Sequence, residues 1–189
     1  MEKEPQYNIP VKFGVEHEEE VVMKNRAEPP EIFELGPDMW EKYKALRLRS
    51  VETDPVAWGE SAIKEKEGQD ESYWRSKLEN PDFKMFGIEQ DGQMVAMAGL
   101  QKKSDGRFFF RRLYVGPEMR GKGLAKVLFD KLFQEAEALG AKKIYLGVTE
   151  GIPALDWYKR LGFRQTEKHS DAKRGDGSNR DEILMEKDL

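Results

Sequence analysis

The chain has no cysteine, and its only histidines are His17 and His169, far apart in the sequence. The absence of cysteine excludes disulfides, thiolate metal sites and a cysteine nucleophile. Two distant histidines exclude a histidine-rich metal site and argue against a Ser-His-Asp triad. Any catalysis by this protein therefore depends on other side chains, and the sequence predicts no metal site.

The chain also lacks a basic bias and long apolar runs. Its formal net charge is -4 and 36% of its residues are charged, so nucleic acid is not the expected partner. The start, MEKEPQYNIP, has no charged-then-apolar signal pattern. No apolar run approaches the ~20 residues of a membrane span. The sequence therefore predicts a cytoplasmic protein without a membrane partner, as a monomer or homodimer.

The length of 189 residues suits one domain with an appended segment. Residues 1–7 are polar, and residues 10–15 and 20–24 could pair as a short hairpin. The stretch "AEPPE" (27–31) reads as a linker, because paired prolines block helix and sheet alike. We interpret residues 1–30 as an N-terminal arm or an extra hairpin. The compact domain is expected over residues 31–189.

Within that domain the apolar pattern changes from helical to alternating and back. Alternation with Asp-Gly turn signals at 91–92 and 105–106 predicts three antiparallel strands between residues 84 and 115. Residues 123–139 repeat at helical spacing, and "SDAKRGDGSN" (170–179) reads as a polar loop between two closing strands. The order β-α-α-β-β-β-α-β-α-β-β predicts an α/β fold of the α+β type, with a mixed, mostly antiparallel sheet flanked by helices.

One stretch, MRGKGLAKVLF (119–129), places two glycines immediately before a helix. A strand, a glycine-rich turn and a helix N-terminus together form the usual phosphate-binding arrangement. The P-loop pattern G-x-x-x-x-G-K-[ST] is absent. The dinucleotide pattern G-x-G-x-x-G fails because Lys126 occupies the third glycine position. Another anion-binding turn is therefore needed.

Arg120, Gly123 and Ala125 form R-x-x-G-x-A, which resembles the signature [QR]-x-x-G-x-[GA] of the GNAT family of N-acetyltransferases. The surroundings strengthen the resemblance: "LYVGPEMRGKGLAKVLFDKL" is followed by "IYLGVTEGIPALDWYKRLGF" and two strands. It covers about residues 31–189. It implies a GNAT-like sheet and acetyl-CoA as co-substrate.

The resemblance also assigns residues to the coenzyme. The strand before the signature would lie beside the pantetheine arm and pair with it like an added strand, which involves Leu113, Tyr114 and Val115. The pyrophosphate would be bound by the backbone N–H groups of the signature turn, in Arg120, Gly121, Lys122, Gly123, Leu124 and Ala125.

Tyr158 is the candidate catalytic residue, since the family usually has a tyrosine in this segment that protonates the leaving thiolate. Two family features are missing. In "VTEGIPA", either Gly151 replaces the asparagine that often holds the pantetheine arm or one residue is deleted. The strand "GRFFFRRLYV" lacks the glutamate that often serves as base. Glu89 and Glu150 are alternatives by their placement near strand ends, and neither is assigned.

The resemblance implies transfer of an acetyl group from acetyl-CoA to a primary amine by direct attack, with a small-molecule amine favoured. A protein N-terminal or lysine acetyltransferase and a non-catalytic acyl-CoA-binding module remain alternatives. An open, acidic groove would favour a protein acceptor, and a closed pocket a small amine. The aromatic and acidic residues that could receive a cationic amine are Trp58, Tyr73 and Trp74 with Glu60 and Glu71.

Overall fold

The computed structural model describes residues 30–66 and 68–189. The predicted arm or hairpin of residues 1–30 falls almost entirely on residues 1–29, which lie outside the described residues. The strands are β1 Ile32–Glu34, β2 Phe83–Gln90, β3 Gln93–Lys102, β4 Phe108–Val115, β5 Lys143–Thr149, β6 Arg164–Lys173 and β7 Asn179–Asp188. The helices are α1 Trp40–Thr53, α2 Glu60–Lys66, α3 Glu71–Glu79, α4 Leu124–Ala138 and α5 Pro153–Arg160. None of these helices is long and apolar enough to cross a membrane.

The strands form one seven-stranded sheet in the order β1-β2-β3-β4-β5-β7-β6. Only β4 and β5 pair in parallel, because helix α4 carries the chain across between them. All other neighbours are antiparallel. This confirms the predicted mixed, mostly antiparallel sheet flanked by helices.

The pairing of β4 with β5 is short. It consists of Phe108 opposite Ile144 and Phe109 opposite Tyr145, at the start of both strands. Beyond these pairs the two strands diverge, so residues 110–115 and 146–149 face a gap in the middle of the sheet. The gap leaves polar backbone edges unpaired, which is the condition for an added strand or ligand to bind there.

A bulge in β4 sits at the edge of this gap. The register with β3 shifts between Met97 and Gly99, and Arg112 has a φ of +56°. A non-glycine residue in the left-handed region is uncommon and bends the strand. The bulge re-aims the side chains of the diverging half of β4.

The two faces of the sheet carry separate cores. Helices α4 and α5 cover one face, where the buried side chains include Phe110, Leu128, Phe129, Ile144, Leu146, Tyr158 and Phe163. Helices α1 and α3 cover the other face, with Tyr43, Leu46, Trp74, Phe83, Met85 and Met97. We call these the α4 face and the α1 face. The gap between β4 and β5 is an opening in the sheet that connects the two faces.

The polar loop predicted over residues 170–179 is wrong. Strand β6 continues to Lys173 and β7 begins at Asn179, which leaves a tight turn at residues 174–178. The segment reads as a loop because nearly all β6 side chains are exposed and polar, a pattern without apolar alternation. A sheet edge favours such residues, since charge discourages pairing with another chain.

Candidate active site

A cavity of about 550 Å³ occupies the gap between β4 and β5. From the α4 face it is lined by Leu113, Leu146, Val148, Ile152 and Tyr158. From the α1 face it is lined by Trp58, Phe83, Arg111, Arg174 and Glu182, among others. A ligand in this cavity would therefore be reached from both sides of the sheet.

The signature turn leads directly into α4 on the α4 face. Gly121 and Gly123 have φ values of +77° and +79°, a conformation that L side chains adopt only with strain. Among the described residues, the backbone N–H groups of 121–125 donate to no other backbone carbonyl. The Arg120 N–H instead donates to Pro117 O at 3.3 Å. The cluster of open N–H groups therefore begins at Gly121, where the helix dipole adds positive potential.

The Arg120 side chain fixes this turn in place. Its Nε donates to the Val115 carbonyl at 3.1 Å, and its guanidinium pairs with Asp54 at 2.5 Å, just after α1. Lys122 is exposed, and the exposed Lys126 pairs with Asp130 at 2.7 Å, so both lysines lie on the solvent-exposed surface. Arg120 acts through its side chain as an anchor of the turn.

Leu113, Tyr114 and Val115 lie in the diverging half of β4. Leu113 and Val115 pack against the core of the α4 face, whereas Tyr114 is buried on the α1 face. The Tyr114 hydroxyl is 2.9 Å from Thr53 Oγ1. Tyr114 and Val115 pair with β3 on one side, and Leu113 lies at the bulge between the paired residues Arg111 and Tyr114. The other backbone edge of this segment lies toward the gap.

Tyr158 is 9% exposed and lines the cavity from α5. Its ring stacks on Phe129 with centroids 5.6 Å apart and planes 17° from parallel. Burial raises the pKa of the phenol well above its ordinary value of 10.0. In the described part of the chain nothing is hydrogen-bonded to the phenol. Tyr158 is thus a rigidly held, protonated donor facing the cavity.

The carboxylates near the site differ from the expected ones. Glu89 pairs with Lys42 at 2.6 Å and Glu150 with Lys168 at 3.1 Å, and neither lines the cavity. Glu182 of β7 is the one acidic residue in the lining over residues 30–66 and 68–189. It lies over Gly147 of β5, where a Cβ would collide with its carboxylate. Sequence reasoning missed Glu182 because its place depends on the β5–β7 register.

The aromatic and acidic set expected to receive a cationic amine is dispersed. Trp74 is fully buried, and the Tyr73 hydroxyl donates to Glu65 at 3.1 Å. Glu71 pairs with Arg75 at 2.5 Å on the surface. Of this set, Trp58 lines the cavity, and its indole N–H donates to the Ser50 carbonyl at 2.8 Å.

Basic side chains dominate the lining instead, with six Lys and Arg residues against Glu182: Arg47, Lys77, Lys103, Arg111, Arg112 and Arg174. Two of these arginines share one buried acid, which balances one of their two positive charges. Glu65, 1% exposed, pairs with Arg47 at 2.7 Å and with Arg112 at 3.2 Å. Arg112 also donates to the Tyr43 hydroxyl, and burial lowers its pKa to about 10.

The tight turn between β6 and β7 closes the cavity over the α1 face. Gly175 N–H donates to Trp58 O at 2.8 Å, and Gly59 forms an isolated bridge with Arg174. A Cβ on Gly175 would approach Pro55 O to 2.7 Å. The turn therefore packs directly on the loop between α1 and α2, and carries Arg174 into the site. The R-G-D-G sequence is a turn signal that could have located this tight turn. The exposed polar strand before it made the whole segment resemble a loop.

Among the described residues, no group of three or more Asp, Glu, His or Cys residues is placed to hold a metal ion.

Comparison with known proteins gives a consistent family. The family described as acetyltransferase (GNAT) family matches residues 44–163. An uncharacterized N-acetyltransferase of Escherichia coli, YjgM, is 30% identical over 87 residues, 44% of this chain and 52% of that protein. The chain spans about half or less of the length of the curated relatives that it matches.

Two solved structures share the fold. The ribosomal-protein-S18-alanine N-acetyltransferase of Escherichia coli aligns with a TM-score of 0.66 at 20% identity, over 85% of this chain and 94% of that one. The PaiA N-acetyltransferase of Thermoplasma acidophilum, solved in complex with coenzyme A, aligns with a TM-score of 0.64 at 19% identity, over 85% and 99%. At these identities the likeness concerns the fold.

Proposed function

This chain belongs to the acetyltransferase (GNAT) family, and we propose that it transfers an acetyl group from acetyl-CoA to the primary amine of a small molecule. The observation that carries the proposal is the gap between β4 and β5, whose unpaired strand edges border a cavity of about 550 Å³ that is lined from both faces of the sheet.

The α4 face suits the coenzyme. The open N–H groups of Gly121 to Ala125 would hold the pyrophosphate, helped by the N-terminus of α4. The unpaired edge of Leu113, Tyr114 and Val115 would hydrogen-bond the pantetheine arm as an added strand would. A fold neighbour solved in complex with coenzyme A supports the choice of this coenzyme.

The coenzyme supplies a thioester, and the chain's residues act on the two ends of the reaction. The amine nitrogen bonds to the carbonyl carbon, a backbone N–H of β4 stabilises the oxyanion, and the carbon–sulfur bond breaks. Tyr158, which lines the cavity, gives its proton to the departing sulfur, so that coenzyme A leaves as the thiol.

We assign the proton acceptor to Glu182. The incoming ammonium must lose protons before and during attack, and Glu182 is the one carboxylate in the cavity lining of the described residues. Its place over Gly147 puts it on the α1 face beside the gap, where the amine would arrive. It would accept the proton directly or through one water molecule.

The pocket supports a small acceptor more than a peptide. Its lining is basic rather than acidic, and the β6–β7 turn closes it against the Trp58 loop. The experiment is a panel of small amines, peptide N-termini and a lysine peptide, with acetyl-CoA and thiol detection. We expect thiol release with small amines. Release with peptides alone would favour the protein acetyltransferase, and tight acetyl-CoA binding without any release would favour the binding module.

A further inference from the structure

Arg174 is a buried cation whose hydrogen bonds are incomplete. Its side chain is 3% exposed, and its Nε has no hydrogen-bond partner within the described part of the chain. Its remaining contact with a carboxylate is a 3.5 Å approach to Glu182. Buried polar groups in native proteins are almost always paired, so an unpaired one at a cavity wall indicates a ligand that pairs it.

The position of Arg174 is fixed by its backbone. Its N–H donates to Ser178 O at 2.8 Å, its carbonyl accepts from Gly177 at 2.9 Å, and Gly175 is tied to the Trp58 loop. From this turn the side chain is directed into the protein, where it is 3% exposed. Its buried guanidinium is therefore a built feature of the cavity.

Arg111 is a second guanidinium in the same lining. It directly follows Phe110, which lies on the α4 face, so by strand alternation it lies on the α1 face. Its Nε donates to Gln101 Oε1 at 3.3 Å. In the described residues it has no carboxylate within 4 Å. Burial lowers its pKa, and the charge of Glu182 raises it by a smaller amount. Glu182 thus lies near both guanidiniums without neutralising both.

The other two lining arginines are paired with a different acid. Arg47 and Arg112 share the buried carboxylate of Glu65, which balances one of their two charges, and the Arg47 guanidinium stacks over Trp58 at 4.3 Å. Lys77 and Lys103 add further positive charge to the lining. Arg111 and Arg174 are the two lining cations on which the charge of Glu182 acts.

We propose that the acceptor amine also carries an anionic group, a carboxylate or a phosphate, that is bound by Arg174 together with Arg111. This rests on the proposed function and names the substrate class of the same pocket. The arrangement is complementary to a zwitterion: the anion faces the two guanidiniums, and the amine faces Glu182 at the gap. An acceptor without the anion leaves the Arg174 Nε unpaired, so it is rejected.

The first experiment measures binding without turnover. N-acetylglycine and N-acetylglycinamide, which differ only in the anionic group, are titrated into the protein with coenzyme A present. We expect N-acetylglycine to bind about tenfold or more tightly than the amide, as a charge-assisted pair requires. Equal binding of the two, or no binding of N-acetylglycine, overturns the proposal.

The variant Arg174→Gln tests the assigned residue, with Lys173→Gln as its matched control. Lys173 is the exposed neighbour of Arg174 and does not line the cavity. Its replacement by Gln removes one positive charge, as Arg174→Gln does. We expect Arg174→Gln to abolish the preference for N-acetylglycine and Lys173→Gln to retain it. An unchanged preference in Arg174→Gln contradicts the assignment, and equal urea midpoints of the variants show that both fold.

Turnover assays show whether the anion is a carboxylate or a phosphate. They also test the anion site independently of the acetyltransferase activity. L-alanine is compared with alaninamide, and O-phosphoethanolamine with ethanolamine, by thiol release. A preference for the charged member of either pair supports the anion site and identifies its anion. Thiol release at equal rates for the charged and the neutral member of each pair contradicts the anion site but still supports the acetyltransferase activity. Tighter binding of N-acetylglycine without any thiol release supports the anion site and contradicts the proposed activity.

Discussion

The Tyr158 phenol is held by aromatic rings on three sides, with Phe129 stacked on it and Trp157 and Phe163 at 5.3 and 6.0 Å between ring centroids. We predict that Tyr158→Phe lowers the rate of thiol release by about a hundredfold, the typical contribution of a positioned acid. The ring packing is kept, so the KM for acetyl-CoA should change little.

The pH profile is the sharper readout for this residue. Because burial raises the Tyr158 pKa, the phenol stays protonated from pH 6 to 9, and the defect of Tyr158→Phe should be constant over that range. Tyr145→Phe removes a hydroxyl outside the cavity and serves as the control. An unchanged rate in Tyr158→Phe removes the acid assignment.

Glu182 is tested by its dependence on the state of the amine. We predict that Glu182→Gln lowers kcat at neutral pH, and that the deficit shrinks as the pH rises toward the pKa of the amine. The reason is that a free amine needs no help to lose its first proton. Glu167→Gln, on the exposed strand β6, should follow the wild-type profile. A deficit that does not vary with pH would mean that Glu182 only positions Arg174.

Single residues differ in how far sequence alone could identify them. Tyr158 and the signature glycines sit within short local motifs, so their types and spacing were informative. Arg174 and Glu182 meet across the β6–β7 hairpin, and Arg111 joins them from a strand some sixty residues earlier. Such contacts depend on register and on a bulge, neither of which leaves a local pattern.

Among the elements, the N-terminus of α4 is tested by a pair of equivalent glycines. Gly121 and Gly140 have φ values of +77° and +79°, and neither has an atom within 4 Å of a built Cβ. Alanine at either position costs roughly 1–2 kcal/mol of strain. We predict that Gly121→Ala also raises the KM for acetyl-CoA about tenfold, whereas Gly140→Ala, at the far end of α4, leaves it unchanged. Equal KM values in the two variants would place the phosphates elsewhere.

Helix α2 is joined to α1 and β4 through the buried carboxylate of Glu65. We predict that Glu65→Gln lowers the free energy of unfolding by about 3–5 kcal/mol, because the buried Arg47 and the partly buried Arg112 lose their counter-charge. Urea denaturation measures the change. Glu71→Gln breaks an exposed pair and should cost less than about 1 kcal/mol. Similar midpoints for the two variants would show that the buried pairs contribute little.

The strands and helices themselves were largely readable. Alternation and Asp-Gly turns located β2, β3 and β4, and helical spacing located α4. The divergence of β4 from β5 was not readable, because "FFFRRLYV" indicates a strand without showing where its partner leaves it. That divergence creates the cavity. The structural feature on which the proposed function depends most is therefore one that local sequence patterns do not predict.

In the whole molecule, the proposed function places the donor and the acceptor on opposite faces of the sheet. The turn before α4 and Tyr158 belong to the α4 face, whereas Glu182, Arg111 and Arg174 belong to the α1 face. The gap between β4 and β5 is the passage through which the amine would meet the thioester. Every step of the proposed reaction therefore depends on acetyl-CoA occupying the gap from the α4 face.

Calorimetric titration of the full chain with acetyl-CoA, and separately with NADH, tests that dependence directly. The two ligands share a pyrophosphate, but the third glycine of the dinucleotide pattern is Lys126 here. We predict saturable binding of one acetyl-CoA per chain and no measurable binding of NADH. No heat with acetyl-CoA, or equal binding of NADH, would contradict the account.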